Sequence, residues 1–214
     1  MKFKAVLFDM DGVLIKSMPF HIRSWQKALH LADIPATKEE LALLEGAPFK
    51  RTITLLSKKY KIPLTSHQHE AIYAMKKQLL AKEFVLFPYR GIFTLLRLLR
   101  SQGTRLALVT GSNKEFVHDI ISHKFGGFFE VIVTGSDMKR GKPFPDPYVA
   151  ALEQLNVAAR SCLVIENAPL GIQSARAAKL RTYALATTLD ASYLQEANRI
   201  FSNHKELLHY MRRG

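Results

Sequence analysis

The sequence predicts an α/β protein in which a doubly wound, Rossmann-like parallel sheet carries an inserted all-helical domain. Short apolar runs alternate with helical segments over most of the 214 residues, which is the pattern of parallel strands joined by helices. The stretch 17–87 interrupts that alternation, because it contains helical patterns only. A content of 48% hydrophobic and 23% charged residues is typical of a globular protein with a buried core.

The elements of the sheet domain follow from its apolar runs and the residues that bound them. Strands are predicted over 4–9, 105–110, 130–134, 161–166 and 182–186, with a short one near 199–202. Helices are predicted over 91–102, 113–124, 146–155, 170–178 and 204–212. Residues 1–16 and 88–214 are therefore expected to form one α/β domain.

The helical insert is predicted to contain four helices, over 19–31, 37–44, 50–60 and 66–83. Pro19 stands at the start of the first helix and Pro35 lies beyond its end, as prolines commonly do at helix boundaries. The expected linkers are residues 15–18 and 85–89. Residues 17–87 are thus predicted to form a separate helical domain directly after the first strand.

Two aspartates, Asp9 and Asp11, follow the first apolar strand, at the place where open α/β sheets bind their ligands. Gly12 then allows a sharp turn of the backbone. Carboxylates this close repel each other, so the pair is stable mainly with a cation between them or with one carboxyl protonated. For this short segment alone, two ordinary turn acids are the alternative interpretation.

The segment resembles the first motif of the haloacid dehalogenase (HAD) superfamily, an apolar strand that ends in D-x-D-G-[TV]-[LI]. The resemblance implies that Asp9 is a nucleophile and that Asp11 is a general acid and base. It also implies three further motifs in a fixed order along the chain.

The second and third motifs have matches in the expected order. Thr110 and Gly111 end an apolar run, where a hydroxyl and backbone N–H groups can donate to phosphate oxygens. An ordinary turn with Ser112 or Asn113 as helix N-cap is the alternative. Lys142 lies in the pattern G-K-P-x-P-x-P-Y, whose prolines predict a stiff loop that fixes the ammonium charge. A solvated surface lysine is the alternative for it.

The fourth motif matches at Glu166 and Asn167, which end another apolar strand. The family usually has two acids there; Asn167 keeps a carbonyl oxygen for a hard cation but removes one negative charge. The resemblance implies a Mg²⁺ site formed by the Asp9 carboxylate, the Asp11 backbone carbonyl, and Glu166 or Asn167. For Glu166 alone, an exposed loop acid is the alternative.

The helical insert resembles the cap of HAD subfamily one, which closes over the site and selects the substrate. His21 and Trp25 lie one helical turn apart and match an H-x-x-x-W pattern of the β-phosphoglucomutase-like branch, in which the histidine reaches towards the acid/base. Arg51, Lys76 and Lys77 are candidates for contacting a distal anionic group. The alternatives are a core tryptophan, a helix-surface histidine and solvated cations.

The same comparison separates two activities. Sugar-phosphate mutases of the family carry an arginine three residues after a cap glycine, whereas here Phe49 follows Gly46 at that distance. The mutases' hinge hydroxyl is matched only by Ser17. The stretches 184–188 and 200–204 look like those of sugar- and polyol-phosphate phosphatases. The sequence therefore favours a Mg²⁺-dependent phosphatase of small phosphorylated metabolites over a mutase, with a catalytically weakened binding protein as a third alternative.

The net charge of +13 comes from 31 basic and 18 acidic residues spread over both domains. Without long basic blocks or interleaved aromatic residues, this charge indicates a basic surface, or attraction of anionic substrates, and does not favour a nucleic-acid partner. No signal segment and no apolar stretch of transmembrane length is recognisable, which predicts a cytoplasmic protein without membrane contact. The single cysteine, Cys162, is expected to be structural. The sequence gives no signal for oligomeric state.

Overall fold

A six-stranded parallel sheet forms the centre of the protein in a computed structural model that describes residues 3–213. Its strands are β1 (Ala5–Phe8), β2 (Arg105–Val109), β3 (Val131–Val133), β4 (Cys162–Glu166), β5 (Arg181–Leu185) and β6 (Arg199–Phe201). They lie in the order β3-β2-β1-β4-β5-β6, and all neighbouring pairs are parallel. The predicted doubly wound α/β fold is confirmed.

The sheet order fixes the position of the site. From β1 the chain proceeds outwards through β2 to β3, and then returns to place β4 on the other side of β1. The strand order therefore reverses between β1 and β4, and the carboxyl ends at such a switch point form a crevice for ligands. Asp9 follows β1 and Glu166 ends β4, so both acids lie at this crevice.

Helices cover both faces of the sheet. They are α5 (Ile92–Ser101), α6 (Lys114–Ile120), α7 (Asp146–Leu155), α8 (Pro169–Ala177) and α9 (His204–Arg213). Val6 and Phe8 of β1 belong to one buried cluster, with residues of α5, α6 and α9, whereas Ala5 and Leu7 belong to another, with residues of α7 and α8. This alternation follows from the two-residue period of a strand, and it explains why β1 is apolar on both faces.

Most predicted boundaries differ from the observed ones by one or two residues, but the predicted helix over 113–124 is not regular throughout. Helix α6 ends at Ile120, and Ile121–Phe125 continue in a wider π-type turn. Within this turn Phe125 is fully buried and its ring stacks on Phe93 at 5.0 Å. The wider turn accompanies burial of an aromatic side chain that sequence periodicity could not place.

Four helices lie between β1 and α5 and pack around a hydrophobic core of their own. They are α1 (Met18–His30), α2 (Lys38–Leu43), α3 (Phe49–Tyr60) and α4 (Ser66–Glu83). That core includes Trp25, Leu29, Ile53 and Ile72. Threonine capping boxes, at Thr37 for α2 and Thr65 for α4, fix where these two helices begin.

The two chain segments that join the helical part to the sheet part run beside each other. Ile15 and Pro88 form an antiparallel bridge, the Lys16 N–H donates to the Phe87 carbonyl at 2.8 Å, and the Tyr89 N–H donates to the Leu14 carbonyl at 3.0 Å. In the part of the chain that the structure describes, no helix is long and apolar enough to cross a membrane.

Candidate active site

Lys142 lies between two carboxylates at the carboxyl edge of the sheet. Its Nζ donates to Oδ1 of Asp9 at 2.7 Å and to Oε1 of Glu166 at 2.6 Å, and all three side chains are nearly fully buried. The loop 141–145 that carries Lys142 is irregular, and the last proline of its motif, Pro147, occupies the first turn of α7, where proline is tolerated. A buried lysine in such a loop is a fixed positive charge and not a solvated one.

One ammonium cannot neutralise both carboxylates. Burial lowers the pKa of Lys142, but Asp9 and Glu166 outweigh it and hold that pKa well above its usual value. Burial raises the pKa of Asp9 well above its usual value, and Lys142 offsets only part of that rise. Asp9 would therefore need a second positive charge nearby, besides Lys142, to be readily ionised at neutral pH.

Glu166 has hydrogen-bond partners on both carboxylate oxygens. Its Oε1 accepts from Lys142 and from the Tyr148 hydroxyl at 3.1 Å, while its Oε2 accepts from the backbone N–H groups of Asn167 at 2.8 Å and Ala168 at 3.1 Å. These four donors use most of the acceptor capacity of a carboxylate. Glu166 thus acts as the anchor of Lys142.

Asp11 is held ionised by a different set of donors. The Ser17 hydroxyl donates to its Oδ1 at 2.5 Å and the Ser112 hydroxyl to its Oδ2 at 2.8 Å, while Nε2 of His21 lies 3.3 Å from Oδ1. Nε2 of His21 has no hydrogen-bond partner of acceptable geometry, so its approach to Asp11 is described as an ion-pair contact. Burial raises the pKa of Asp11, but the charge of His21 and the two serine hydroxyls outweigh it and hold that pKa well below its usual value.

The turn after β2 contains both the buried Thr110, beside Asp11, and a helix cap. The Thr110 hydroxyl is buried, lies 3.4 Å from Oδ2 of Asp11 and accepts from the Ser112 N–H at 3.1 Å. Asn113 is the N-cap of α6, because its Oδ1 accepts from the Phe116 N–H at 2.9 Å. The functional candidates Thr110 and Gly111 and the helix cap Asn113 thus lie in one short turn.

The candidates from the helical part divide between the site and the surface. Nζ of the buried Lys76 lies 3.1 Å from Nδ1 of His21 and 5.5 Å from the ring centre of Trp25, so these three form one group beside Asp11. Lys77 is exposed but lines the cavity described below. Arg51 is exposed on α3 and does not line that cavity.

A cavity of about 810 Å³ lies between the helical part and the carboxyl edge of the sheet. The helical part contributes His21, Trp25, Glu45, Phe49, Tyr73, Lys76 and Lys77 to its wall, and the sheet part contributes Gly111, Ser112, Glu115 and Asp119. The cavity is large enough for a small metabolite.

The donor set fits a hard divalent cation. Oδ1 of Asn167 is buried without a hydrogen-bond partner, while its Nδ2 donates to the Thr188 hydroxyl at 3.0 Å. Within residues 3–213 the Asp9 carboxylate accepts hydrogen bonds on Oδ1 only. Among residues 3–213 no group of three or more His, Cys, Asp or Glu side chains could hold a metal, so a cation here would need amide and backbone oxygens as well.

Sequence reasoning did not identify two residues that the structure places at the site. Tyr148 belongs to the motif around Lys142 and bonds Glu166, but its role needs the packing of α7 to become visible. Glu45 precedes Gly46 and faces the cavity. In the sequence, the glycine was the available signal for a turn at this place. In the structure, the φ of Gly46 is +83°, which is typical of a turn where the backbone approaches another part of the chain closely.

The fold and the site together define an α/β enzyme whose candidate nucleophile is an aspartate at the switch point of a parallel sheet. The family model for haloacid dehalogenase-like hydrolases matches residues 3–179, and the chain therefore belongs to that family. The resemblance inferred from the four motifs is confirmed, and with it the prediction that this protein is a HAD-family enzyme.

Two relatives that match nearly the whole chain are named as phosphatases. Hexitol phosphatase A of Escherichia coli is 30% identical over 210 residues, which cover 97% of this chain and 94% of the relative. A phosphorylated carbohydrates phosphatase of Thermotoga maritima is 27% identical over 201 residues, which cover 92% of each chain.

A similar solved structure is named for a mutase. The “Putative beta-phosphoglucomutase” from Bacteroides vulgatus superposes with a TM-score of 0.92 at 35% identity, covering 99% of this chain and 88% of that one. The relatives thus include both activities that the sequence left open.

Proposed function

We propose that this protein is a Mg²⁺-dependent phosphatase that hydrolyses a small phosphomonoester, a sugar or polyol phosphate, through an aspartyl phosphate on Asp9. The observation that carries the proposal is the position of Asp9 at the switch point of the sheet, bonded to the buried Lys142 beside the cavity. A carboxylate nucleophile that forms a phosphoryl-enzyme needs this combination of fixed position and nearby positive charge.

In this proposal Asp9, the backbone carbonyl of Asp11 and Asn167 hold Mg²⁺. When bound, the ion screens the repulsion between the carboxylate of Asp9 and the phosphate. Asn167 is the better candidate than Glu166, because its buried Oδ1 has no partner whereas both oxygens of Glu166 have theirs. Asn167 supplies one negative charge less than the family's usual acid, which lowers affinity for the ion.

The residues of the chain divide the chemistry. Asp9 attacks the phosphorus atom in line with the leaving oxygen, while Lys142 and the Thr110 hydroxyl stabilise the charge of the transferring phosphoryl group. Asp11 then donates a proton to the leaving oxygen, and later takes one from the water that attacks the aspartyl phosphate.

Asp11 can serve both steps if its protonation changes during the cycle. In the free protein its pKa is low, because the effects of His21, Ser17 and Ser112 outweigh burial, so it starts as a carboxylate. An arriving phosphate is negatively charged and raises that pKa, which favours the protonated form needed to release the alcohol. Transfer of that proton to the leaving oxygen returns Asp11 to the carboxylate, which the hydroxyls of Ser17 and Ser112 stabilise.

We further propose that residues 17–87 act as a cap domain. Two observations support it: the helices pack around their own core, and the two linkers lie side by side as a hinge would require. The cavity between the two parts then closes over a bound substrate, which excludes bulk water and strengthens the electrostatics of the site.

The substrate class is supported by the cavity wall and by the relatives' names. At the position where the family's mutases have an arginine, Phe49 stacks on Tyr73 with ring centres 4.0 Å apart. A neutral aromatic ring there supplies no charge for a second phosphate. Two relatives that match over 92% and 97% of this chain are named for phosphorylated carbohydrates and for hexitols.

A β-phosphoglucomutase-type activity is the second candidate, and one finding favours it. The structure with TM-score 0.92 is described by that activity. In a mutase a sugar hydroxyl replaces water as the acceptor of the phosphoryl group, so the same Asp9 and Asp11 would serve.

The experiment is Mg²⁺-dependent phosphate release from a panel of sugar, polyol and nucleoside monophosphates, with β-glucose 1-phosphate isomerisation measured in parallel. We expect release from a sugar or polyol phosphate and a loss of about 10⁴-fold or more in Asp9→Asn, since the nucleophile is removed. Isomerisation with little release would establish the mutase instead. Inactivity in both assays would refute the proposal and favour a binding protein weakened at Asn167.

A further inference from the structure

His204 is a buried histidine outside the candidate active site, and no step of the proposed chemistry uses it. It is the first residue of α9, it is 5% exposed, and its Nε2 lies 2.6 Å from the carbonyl oxygen of Val13. A carbonyl oxygen only accepts hydrogen bonds, so Nε2 carries the proton and His204 is the donor. Burial lowers the pKa of His204, and together with nearby Lys16 it outweighs the opposite effect of the bond to Val13, so the ring donates as a neutral imidazole in one tautomer.

Val13 belongs to the turn of residues 10–15, which follows β1 and leads into the first linker. The Met10 carbonyl accepts from the three N–H groups that end this turn, at 2.8–3.2 Å. The turn contains Asp11, the candidate acid and base, and it ends at Ile15, which forms a bridge to the second linker. The turn therefore joins the candidate acid and base directly to the segments that carry the helical part.

Three successive carbonyl groups of this turn accept hydrogen bonds from outside it. The carbonyls of residues 12–14 accept, in that order, from the Thr187 hydroxyl at 2.6 Å, from Nε2 of His204 and from the Tyr89 N–H at 3.0 Å. The donors lie after β5, on α9 and in the second linker. A buried carbonyl needs such a donor, so these three residues together fix where the turn lies.

His204 also contacts the second linker directly. Its ring stacks on the Tyr89 ring with the centres 4.4 Å apart and an angle of 17° between the planes. Nζ of Lys16, from the first linker, lies 5.6 Å from the centre of the same Tyr89 ring. One imidazole thus contacts the turn through Nε2 and the second linker through its face.

The position of the turn affects the site because the turn packs closely on Asn167. A Cβ atom added at Gly12 would lie 2.0 Å from Nδ2 of Asn167 and 3.1 Å from the Thr188 hydroxyl oxygen. A misplacement of about 1 Å in a reacting group can cost about 100-fold in rate. A residue that supports this turn therefore affects the chemistry of Asp11 without contacting the substrate.

We propose that His204 is a positioning residue for Asp11: its hydrogen bond to the Val13 carbonyl and its stacking on Tyr89 hold the turn of residues 10–15 where the acid step requires it. The proposal rests on the proposed phosphatase function, in which Asp11 protonates the leaving oxygen, and it adds a residue that lies outside the four motifs. His204 acts through the turn and not on the substrate, so its effect is expected in kcat and not in KM.

The test compares His204→Leu, which removes the donor but keeps a buried side chain, with His204→Gln, whose amide N–H can donate to the Val13 carbonyl. Two substrates are used: the most active sugar or polyol phosphate of the panel, and p-nitrophenyl phosphate, whose leaving group departs without a proton. Hydrogen–deuterium exchange of a peptide that covers residues 10–16 is measured beside them and needs no substrate.

In His204→Leu we expect kcat for the sugar or polyol ester to fall about tenfold, with KM within about twofold of the wild-type value. The loss of kcat/KM should be smaller for p-nitrophenyl phosphate, because that ester does not need the acid. Amides of the turn should exchange about tenfold faster. His204→Gln is expected to recover most of these losses, because it restores the hydrogen bond.

Two residues of the same helix supply the controls. Met211→Ala removes a buried side chain without removing a hydrogen bond to the turn, so it should lower stability while kcat and the exchange of residues 10–16 stay close to wild type. His209 is exposed, and His209→Leu should change none of these quantities appreciably.

Three results would overturn the role of His204 while leaving phosphatase chemistry intact. They are a kcat loss in His204→Leu no larger than that in Met211→Ala, equal losses of kcat/KM on the two esters, and unchanged exchange of residues 10–16. No Asp9-dependent release by the wild type from any ester would overturn the proposed function, and with it the catalytic role of His204, whatever the exchange of the turn shows.

Discussion

The carboxylate cluster at the sheet edge and the cap turn above it, residues 44–48, are built in opposite ways. In the cluster, Lys142 bonds Asp9 and Glu166, and Glu166 has donors on both oxygens. In the turn, the carboxylate of Glu45 has no hydrogen bond or ion pair within residues 3–213, and Gly46 lies close to the Lys142 side chain of the sheet part.

This difference matches the tasks of the two regions in the proposed function. The sheet edge acts on the phosphoryl group, and the helical part contacts the rest of the substrate. Chemistry on a phosphoryl group needs charges fixed before the substrate arrives, so their hydrogen bonds are satisfied within the protein. Recognition of a variable leaving group needs polar atoms that remain available for the ligand. A residue can therefore be assigned to one of the two tasks according to whether its side chain already has hydrogen-bond partners within the protein.

The largest effect is expected when the cluster loses its cation. Lys142→Met leaves two buried carboxylates without their common partner, which costs about 3 kcal/mol or more in the free energy of unfolding and lowers kcat by about 10³-fold or more. Denaturant titration and phosphate release measure the two effects.

The exposed Lys139 lies three residues earlier, and Lys139→Met is the matched control that should change neither quantity appreciably. If Lys142→Met unfolds at the wild-type denaturant concentration, the bonds to Asp9 and Glu166 do not have the importance assigned to them.

A smaller effect is expected when the turn can no longer approach the site. Gly46→Ala adds a Cβ 2.9 Å from the Lys142 side chain at a φ of +83°, and we expect a loss of about 1–2 kcal/mol in stability and about tenfold in kcat. Gly103→Ala has nearly the same strain, at a φ of +76°, but no atom within 4 Å of the added Cβ. Equal kcat losses in both variants would show that strain, and not the close approach, matters.

The smallest effect is expected from Ser112→Ala, which removes one donor from Asp11. The pKa of Asp11 is held low in the folded protein, so its ionisation contributes stability above the unfolded pKa of about 3.9, and this stability is lost as the pH falls through the folded pKa. Without Ser112 the folded pKa rises, so the variant should be less stable by about 1 kcal/mol at pH 6–7.

The same substitution should shift the acidic limb of the kcat profile to higher pH and lower kcat by about threefold to tenfold. Because Asp11 titrates identically in the two unfolded chains, the stability difference should persist as the pH falls from 7 to 4 and shrink only as the pH approaches the low folded pKa of Asp11. A stability difference that is lost between pH 7 and pH 4 would contradict a role through the charge of Asp11.

The positions of Asp9 and Glu166 at the sheet edge could be predicted because each residue stands at the end of an apolar strand. Runs such as Ala5–Phe8 and Cys162–Glu166 define parallel strands, and parallel strands bring their carboxyl ends to one edge of the sheet. The order of the strands did not follow from the sequence, yet each of Asp9, Thr110 and Glu166 needed only its own strand to be placed.

The cap turn could not be predicted in the same way. The contact of Gly46 with Lys142 joins residues 96 positions apart, and it depends on how the helical part sits on the sheet. Helical periodicity placed Lys76 and Arg51 on helices but gave no means to decide that Lys76 is buried beside His21 while Arg51 is exposed. Tertiary packing determines whether such a residue is buried or exposed.

The central claim is that Asp9 carries the phosphoryl group, and the most direct measurement is borohydride trapping during turnover of an active phosphomonoester, followed by peptide mass spectrometry. Reduction of an aspartyl phosphate converts that aspartate to homoserine, so the account predicts homoserine at position 9, dependent on substrate and Mg²⁺. Active turnover with an unmodified Asp9, or with homoserine at Asp11 in its place, would contradict the account.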